Sequence, residues 1–348
     1  ESILTVCANP VHKRRKSVQD FRPFCYCIAA VRLYTADMFS PYNKAAFTGR
    51  CGGPGPLFCC FGAPGHIQQS RRMETIMFYI RTNDQVKIAV YDLNPCGSET
   101  ILLIHGWPLS HQIFEYQESL LTANGFRVVS MDLRGFGASD APACGYGYDR
   151  MADDIYTVVR ALNLRCFTLV GFSMGGGIVT RYMGRYNGYG VKRLVLLGAA
   201  SPRFTQCSDF PYGVTREAVD AWISQASTDR AQLCEQFGSM LFASPQSSAI
   251  VDWLRMLSLG ASGIATIQTA CALRDEDCRA DLSKICVPTG IFHGRQDAVV
   301  PFELAAVQQS CIPGAQLFAF ENSGHAVFYD ELCSFNQQLL AFLRIPVC

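Results

Sequence analysis

From Met73 onward, short apolar runs alternate with stretches whose hydrophobic residues recur every three or four positions. Residues 76–81 and 86–93 are rich in β-branched and aromatic residues and are joined through Thr82-Asn83-Asp84-Gln85, which predicts an antiparallel hairpin. Continuous apolar runs predict buried strands at 100–104, 126–131, 166–170, 191–197, 287–294 and 315–320. Between them, helical spacing predicts helices over 110–123, 148–162, from Gly177 onward, 301–309 and 328–343. Met151, Ile155, Val158, Val159 and Leu162 share one helical face, and Leu332, Phe335, Leu339, Leu340 and Leu343 share another. Buried strands alternating with amphipathic helices predict an α/β fold, with a mostly parallel eight-stranded sheet covered by helices on both faces.

The alternation stops between residues 200 and 283, where helical patterns recur without a convincing buried strand. More than eighty residues between two sheet strands is too long for an ordinary loop, so a helical cap over the strand ends is expected. The chain then divides into a first core part (73–199), a helical cap (200–283) and a second core part (284–348), preceded by an atypical extension (1–72). Trp222, Phe237, Met240 and Trp253 of the cap, with Trp107, are candidates to line a pocket. Simple packing of cap on core is the plainer role for such side chains.

Composition sharpens the boundary at Met73. The 348 residues are 49% hydrophobic and 17% charged, enough for a large core and incompatible with disorder of the whole chain. The net charge of +1 gives no reason to expect nucleic acid. Residues 1–72 nevertheless hold ten Lys/Arg against three Asp/Glu, whereas 73–348 hold twenty against twenty-six. The extension carries Lys13-Arg14-Arg15-Lys16, six cysteines and Gly/Pro-rich patches, with no sustained period. Its basic run could be a targeting or nucleic-acid patch, and its cysteines could bind metal or pair. The favoured expectation is upstream nucleotide sequence translated in frame, not a native part of the protein, ahead of a start at Met73 or Met77. Its cysteines lack C-x-x-C spacing, which argues against zinc. The apolar stretch 24–36 is interrupted by Arg32 and too short to span a bilayer, so no membrane partner is expected. Eleven further cysteines fit no framework spacing, and buried free thiols in a reducing cytoplasm are expected.

The candidate chemistry centres on Leu169-Val170-Gly171-Phe172-Ser173-Met174-Gly175-Gly176-Gly177. Here G-x-S-x-G lies between a predicted buried strand and a helix, so Ser173 sits on a sharp, strained turn beside the positive end of a helix. Asp297 and His325 each follow a later predicted strand, at the edge where open α/β sheets bind ligands. His105, His293 and Asp132 also follow strands, and Asp275 and Asp281 lie in the cap region, so other bases and acids compete for these roles. No zinc-type His/Cys cluster and no phosphate-cradling Lys accompanies the glycines, so no metal, nucleotide or other cofactor is expected.

The motifs H-G-W-P, D-L-R-G-F-G, G-F-S-M-G-G, H-G-R-Q-D and S-G-H, with the chain order Ser173, Asp297, His325, resemble the α/β-hydrolase family across residues 73–348. H-G-W-P-L-S together with G-F-S-M-G-G-G is similar to the cofactor-free haloperoxidase, perhydrolase and arylesterase branch. The resemblance implies Ser173 as nucleophile, with His325 as its base and Asp297 orienting the imidazole. It also implies an oxyanion hole from the backbone N–H groups of Trp107 and Met174. The implied reaction is cleavage of a small-molecule carboxylic ester through an acyl-enzyme, taken up by water or by peroxide. Relatives that attack alkyl carbon carry Asp at the elbow, and Ser at position 173 favours acyl chemistry. A carbon–carbon bond hydrolase with the same triad is the enzymatic alternative. A non-catalytic ligand-binding form would have lost a triad member, and none is missing. The apolar cap suggests small or aryl esters. Leu197-Gly198-Ala199-Ala200-Ser201-Pro202 departs from the branch's Pro-rich version, which leaves peracid formation open. Oligomeric state is not legible.

Overall fold

Eight strands form one sheet in the order β1-β2-β4-β3-β5-β6-β7-β8 in the computed structural model, which describes residues 75–347. The expected extension 1–72, with its basic run and six cysteines, lies outside the described residues, as does Cys348. Strands β1 (Thr75–Arg81) and β2 (Lys87–Leu93) make the antiparallel hairpin, and β2 joins β4 (Arg127–Met131) antiparallel. The remaining strands run parallel: β3 (Thr100–Ile104), β5 (Phe167–Phe172), β6 (Val191–Leu197), β7 (Thr289–Gly294) and β8 (Gln316–Phe320). Every residue of β5 and β7 is buried, as a central parallel strand covered on both faces requires. Leu102 of β3 lies opposite both Val129 of β4 and Leu169 of β5, all three fully buried.

The helices that cover the sheet are α1 (Glu115–Ala123), α2 (Tyr148–Ala161), α3 (Met174–Tyr186), α9 (Glu303–Cys311), α10 (Val327–Asp330) and α11 (Leu332–Leu343). Three departures from the sequence pattern matter. Strand β5 continues to Phe172 and α3 begins at Met174, so the whole strand-to-helix turn is compressed onto Ser173. The helix expected from 110 opens as a 3₁₀ turn, His111–Phe114. The closing helix is broken at Glu331, whose carboxylate accepts from Asn322 N–H (3.1 Å) and Ser323 Oγ (2.6 Å). Phe335, Leu339, Phe342 and Leu343 of α11 are buried, and Phe342 takes the place the pattern assigned to Leu340. Phe292 of β7 is fully buried, stacked on Phe318 at 4.4 Å and edge-on to Phe335 and Phe342.

Between β6 and β7 lie five helices: α4 (Arg216–Thr228), α5 (Arg230–Met240), α6 (Ser248–Leu259), α7 (Gly263–Asp275) and α8 (Arg279–Leu282). Thr215, Asp229, Ser247 and Ser262 cap the first four through their side chains, each worth ~1 kcal/mol. The insertion is bonded to loops at the C-terminal ends of the strands. Ser262 N–H donates to Gly135 (2.8 Å), and Ala326 N–H donates to Leu241 (2.8 Å).

The ten described cysteines are unpaired, but the expectation of buried thiols needs correction. Only Cys234 and Cys278 are buried, and six are exposed. They occupy turns and outer helix faces, where a small side chain need not face inward. Among the described residues, no single helix is long and apolar enough to cross a membrane.

Candidate active site

Ser173 takes φ +54° and ψ −121°, a strained conformation for a residue with a Cβ. The surroundings enforce it. Its N–H donates to Leu197 (2.9 Å), and its carbonyl accepts from Gly176 and Ala200 (both 2.9 Å). The flanking glycines are steric necessities. A Cβ on Gly171 would come within 2.5 Å of Val179, and one on Gly175 within 2.5 Å of the carbonyl oxygens of both Ile104 and His105. Small residues therefore let α3 close against β3 and β5. Met174, the first residue of α3, has no helical carbonyl before it to accept its N–H.

Asp297 follows β7, and its side chain is wholly buried. Its Oδ1 accepts the N–H groups of Val299 (2.9 Å) and Val300 (2.8 Å). Oδ2 accepts His325 Nδ1 at 2.7 Å and also lies 3.1 Å from His293 Nε2. Burial pushes this carboxyl up, but electrostatic attraction to the His325 imidazole and hydrogen bonds from His293 and His325 outweigh it, holding the group well below the usual carboxylate range. An ionised Asp297 makes Nδ1 of His325 the donor and leaves the lone pair on Nε2. That Nε2 is buried without a hydrogen-bond partner. The ring packs on Phe172, 4.8 Å between centroids.

The loop carrying His325 is held from below. Gly324 N–H donates to Asp330 Oδ2 (2.8 Å), which also accepts Ala243 N–H (2.9 Å) from the insertion. Asp330 Oδ1 accepts Ser244 Oγ (2.8 Å) and Gln246 Nε2 (3.1 Å). No local pattern marks Asp330, Glu331 or the second histidine on Asp297. They became visible only in three dimensions, although the H-G-R-Q-D spacing does carry His293 and Asp297 on one strand exit.

The competing groups are otherwise engaged. His105 donates through Nδ1 to Gly106 O (2.9 Å) and accepts Leu133 N–H on Nε2 (3.0 Å), and burial lowers its pKa to about 4. His293 Nε2 is 2.8 Å from Val300 O. Asp132 accepts from His111, Ala138 and Tyr91. Asp281 pairs with Arg181 and Lys284, and Asp275 with Arg274 and Arg216.

Of the five candidate pocket residues, three meet. Trp107 stacks on Trp222 (5.8 Å) and meets Phe237 edge-on (5.0 Å). Trp107 is buried, and its indole Nε1 donates to Thr266 O of α7 (3.0 Å). Met240 is half-buried against the core, and Trp253 packs instead on Tyr329 (6.2 Å).

Residues 99–332 match the family described as alpha/beta hydrolase fold. The AB hydrolase superfamily protein YisY of Bacillus subtilis is 42% identical over 264 residues, 76% of this chain and 98% of that protein. Among solved structures, the esterase EaEST from Exiguobacterium antarcticum matches with a TM-score of 0.76 and 43% identity, over 77% of this chain and all of that one. A bromoperoxidase from Bacillus anthracis matches with a TM-score of 0.74 and 33% identity, again over 77% and 100%. The chain belongs to the α/β-hydrolase family, in its haloperoxidase-like branch.

Proposed function

We propose that this protein is a serine hydrolase of carboxylic esters, working through Ser173, His325 and Asp297. The observation that carries this reading is the state of His325. Its Nδ1 is fixed on an ionised Asp297 that accepts two further hydrogen bonds and lies 3.1 Å from His293 Nε2, and its buried Nε2 is unpartnered at the sheet edge where the Ser173 elbow emerges. Nε2 takes the Ser173 proton as Oγ attacks the ester carbonyl. Asp297 keeps the imidazole in the productive tautomer and stabilises the imidazolium. The N–H groups of Trp107 and Met174 receive the oxyanion, a contribution of ~10²–10³ in rate per donor. His325 then protonates the departing alcohol, and water attacks the acyl-enzyme. Peroxide in place of water would give a peracid, a side activity supported by the bromoperoxidase likeness.

Helices α4–α8 act as the cap, and the Trp107–Trp222–Phe237 cluster suits small or aryl esters. The ten unpaired thiols support a cytoplasmic setting. The test is hydrolysis of a chromogenic aryl ester series, from acetyl to octanoyl, by the full chain with and without Ser173→Ala. The parent should cleave the short acyl esters, and the variant should lose nearly all of that rate. Activity surviving in Ser173→Ala removes the nucleophile assignment. A parent inactive on every ester removes the esterase reading in favour of carbon–carbon hydrolysis or ligand binding.

A further inference from the structure

A cleft of about 410 Å³ opens between α6 and the loops after β3 and β4, lined by Tyr91, Ser110, His111, Asp132, Met256 and Leu257 among others. None of Ser173, Asp297 and His325 lines it. It contains a second histidine–aspartate pair built like the first. His111 Nδ1 is 2.8 Å from Asp132 Oδ1, which also accepts the His111 backbone N–H (2.9 Å). Asp132 Oδ2 accepts Ala138 N–H (2.8 Å) and Tyr91 OH (3.1 Å), and the Tyr91 ring stacks on the imidazole at 3.6 Å. The ring is thus locked, with Nδ1 committed and the Nε2 edge facing away from Asp132.

Ser110 supplies the second observation. It is 4% exposed, yet its Oγ is buried without a hydrogen-bond partner, a costly state for a hydroxyl. It occupies the N-cap position of the 3₁₀ turn, but its hydroxyl caps nothing. The cleft therefore offers the outward edge of a fixed imidazole and an apolar wall, with an unpaired hydroxyl just beneath its surface.

We propose that this cleft is a binding site for a neutral small molecule with a hydroxyl on an apolar body, an alcohol or a phenol. The ligand hydroxyl donates to His111 Nε2 and accepts from Ser110 Oγ, and its hydrocarbon part lies on Met256 and Leu257. Charge selects against the alternatives. No Lys or Arg lines the cleft, and Asp132 repels an anion. The Asp132 carboxylate already accepts four donors, so it has no lone pair turned out for a cation. The volume exceeds that of ten waters at ~30 Å³ each, enough for a substituted phenol. The inference goes beyond ester hydrolysis, because occupancy needs no reaction at Ser173.

The test is calorimetric titration of full-length Ser173→Ala protein with 4-methylphenol, benzoate and benzylamine. Saturable binding of 4-methylphenol is expected, with benzoate and benzylamine binding much more weakly. Adding Ser110→Ala should weaken the phenol about tenfold, as loss of one hydrogen bond implies. Leu257→Trp, which fills the cleft from α6, should abolish binding and serves if the Ser110 variant does not fold. Binding unchanged by both substitutions overturns the proposal, as does benzoate binding as tightly as 4-methylphenol. In crystals soaked with 4-bromophenol, anomalous bromine density in this cleft supports the site, and density confined to the Ser173 elbow refutes it. A failed esterase assay leaves each of these readouts intact.

Discussion

Asp297→Asn is the sharpest perturbation of the proposed mechanism, because the structure determines which way the new amide must face. Oδ1 accepts two backbone N–H groups, from Val299 and Val300. Turning the amide NH₂ toward them would orphan two buried donors, at ~1–3 kcal/mol each. The amide oxygen therefore keeps that position, and NH₂ replaces Oδ2 opposite His325 Nδ1. Two donors then face each other at a 2.7 Å separation. The inexpensive relief is transfer of the imidazole proton to Nε2, which leaves His325 unable to accept the Ser173 proton. The expected loss is ~10⁴ in kcat, or about 5 kcal/mol of barrier, with KM little changed and the fold intact. The assay is steady-state hydrolysis of 4-nitrophenyl acetate, together with circular dichroism and ¹⁵N spectra of the imidazole. The spectra should show protonated Nδ1 in the parent and protonated Nε2 in the variant. A variant within tenfold of the parent kcat, or one keeping the Nδ1 proton, would refute the tautomer argument.

Three further outcomes follow from the packing and the titrating groups. Gly175→Ala drives a Cβ into two backbone carbonyls at 2.5 Å, and urea unfolding should show a loss of ~1–3 kcal/mol. Phe292→Ala empties the centre of an aromatic cluster and should cost ~3–5 kcal/mol in the same experiment, with the m-value retained. His105 is held neutral with its pKa lowered to about 4, against ~6.5 in an unfolded chain, so the unfolded state binds the proton first as pH falls. Its contribution is fully present above pH ~6.5 and is lost toward pH 4, amounting to about 3 kcal/mol. Stability curves of parent and His105→Gln should therefore converge as pH drops, and parallel curves would rule this histidine out as the cause.

The elements that can be read from the sequence are those specified locally. The run into Gly171-Phe172-Ser173 is legible because a fully buried strand and a close-packed helix restrict the choice of residues position by position. The order of Ser173, Asp297 and His325 is legible because each stands at a strand exit. Features specified by partners far along the chain were hidden. The break at Glu331 exists because its carboxylate reaches back to Asn322 and Ser323, whereas the hydrophobic period runs on through it. Leu340 fits the inward stripe by spacing, yet the aromatic cluster around Phe292 draws Phe342 inward. The cysteines misled because a small apolar residue is tolerated in an exposed turn at little cost, so composition alone did not report their burial.

Asp330 ties the backbone just before His325 to the segment between α5 and α6. One carboxylate is thus shared by the insertion and the loop that carries His325. Lifting the 243–246 segment withdraws four of its donors and slackens the support under Gly324. An exchange of this insertion for that of a relative would have to carry the Asp330 partners with it, or the loop that carries His325 would lose its tie to the insertion.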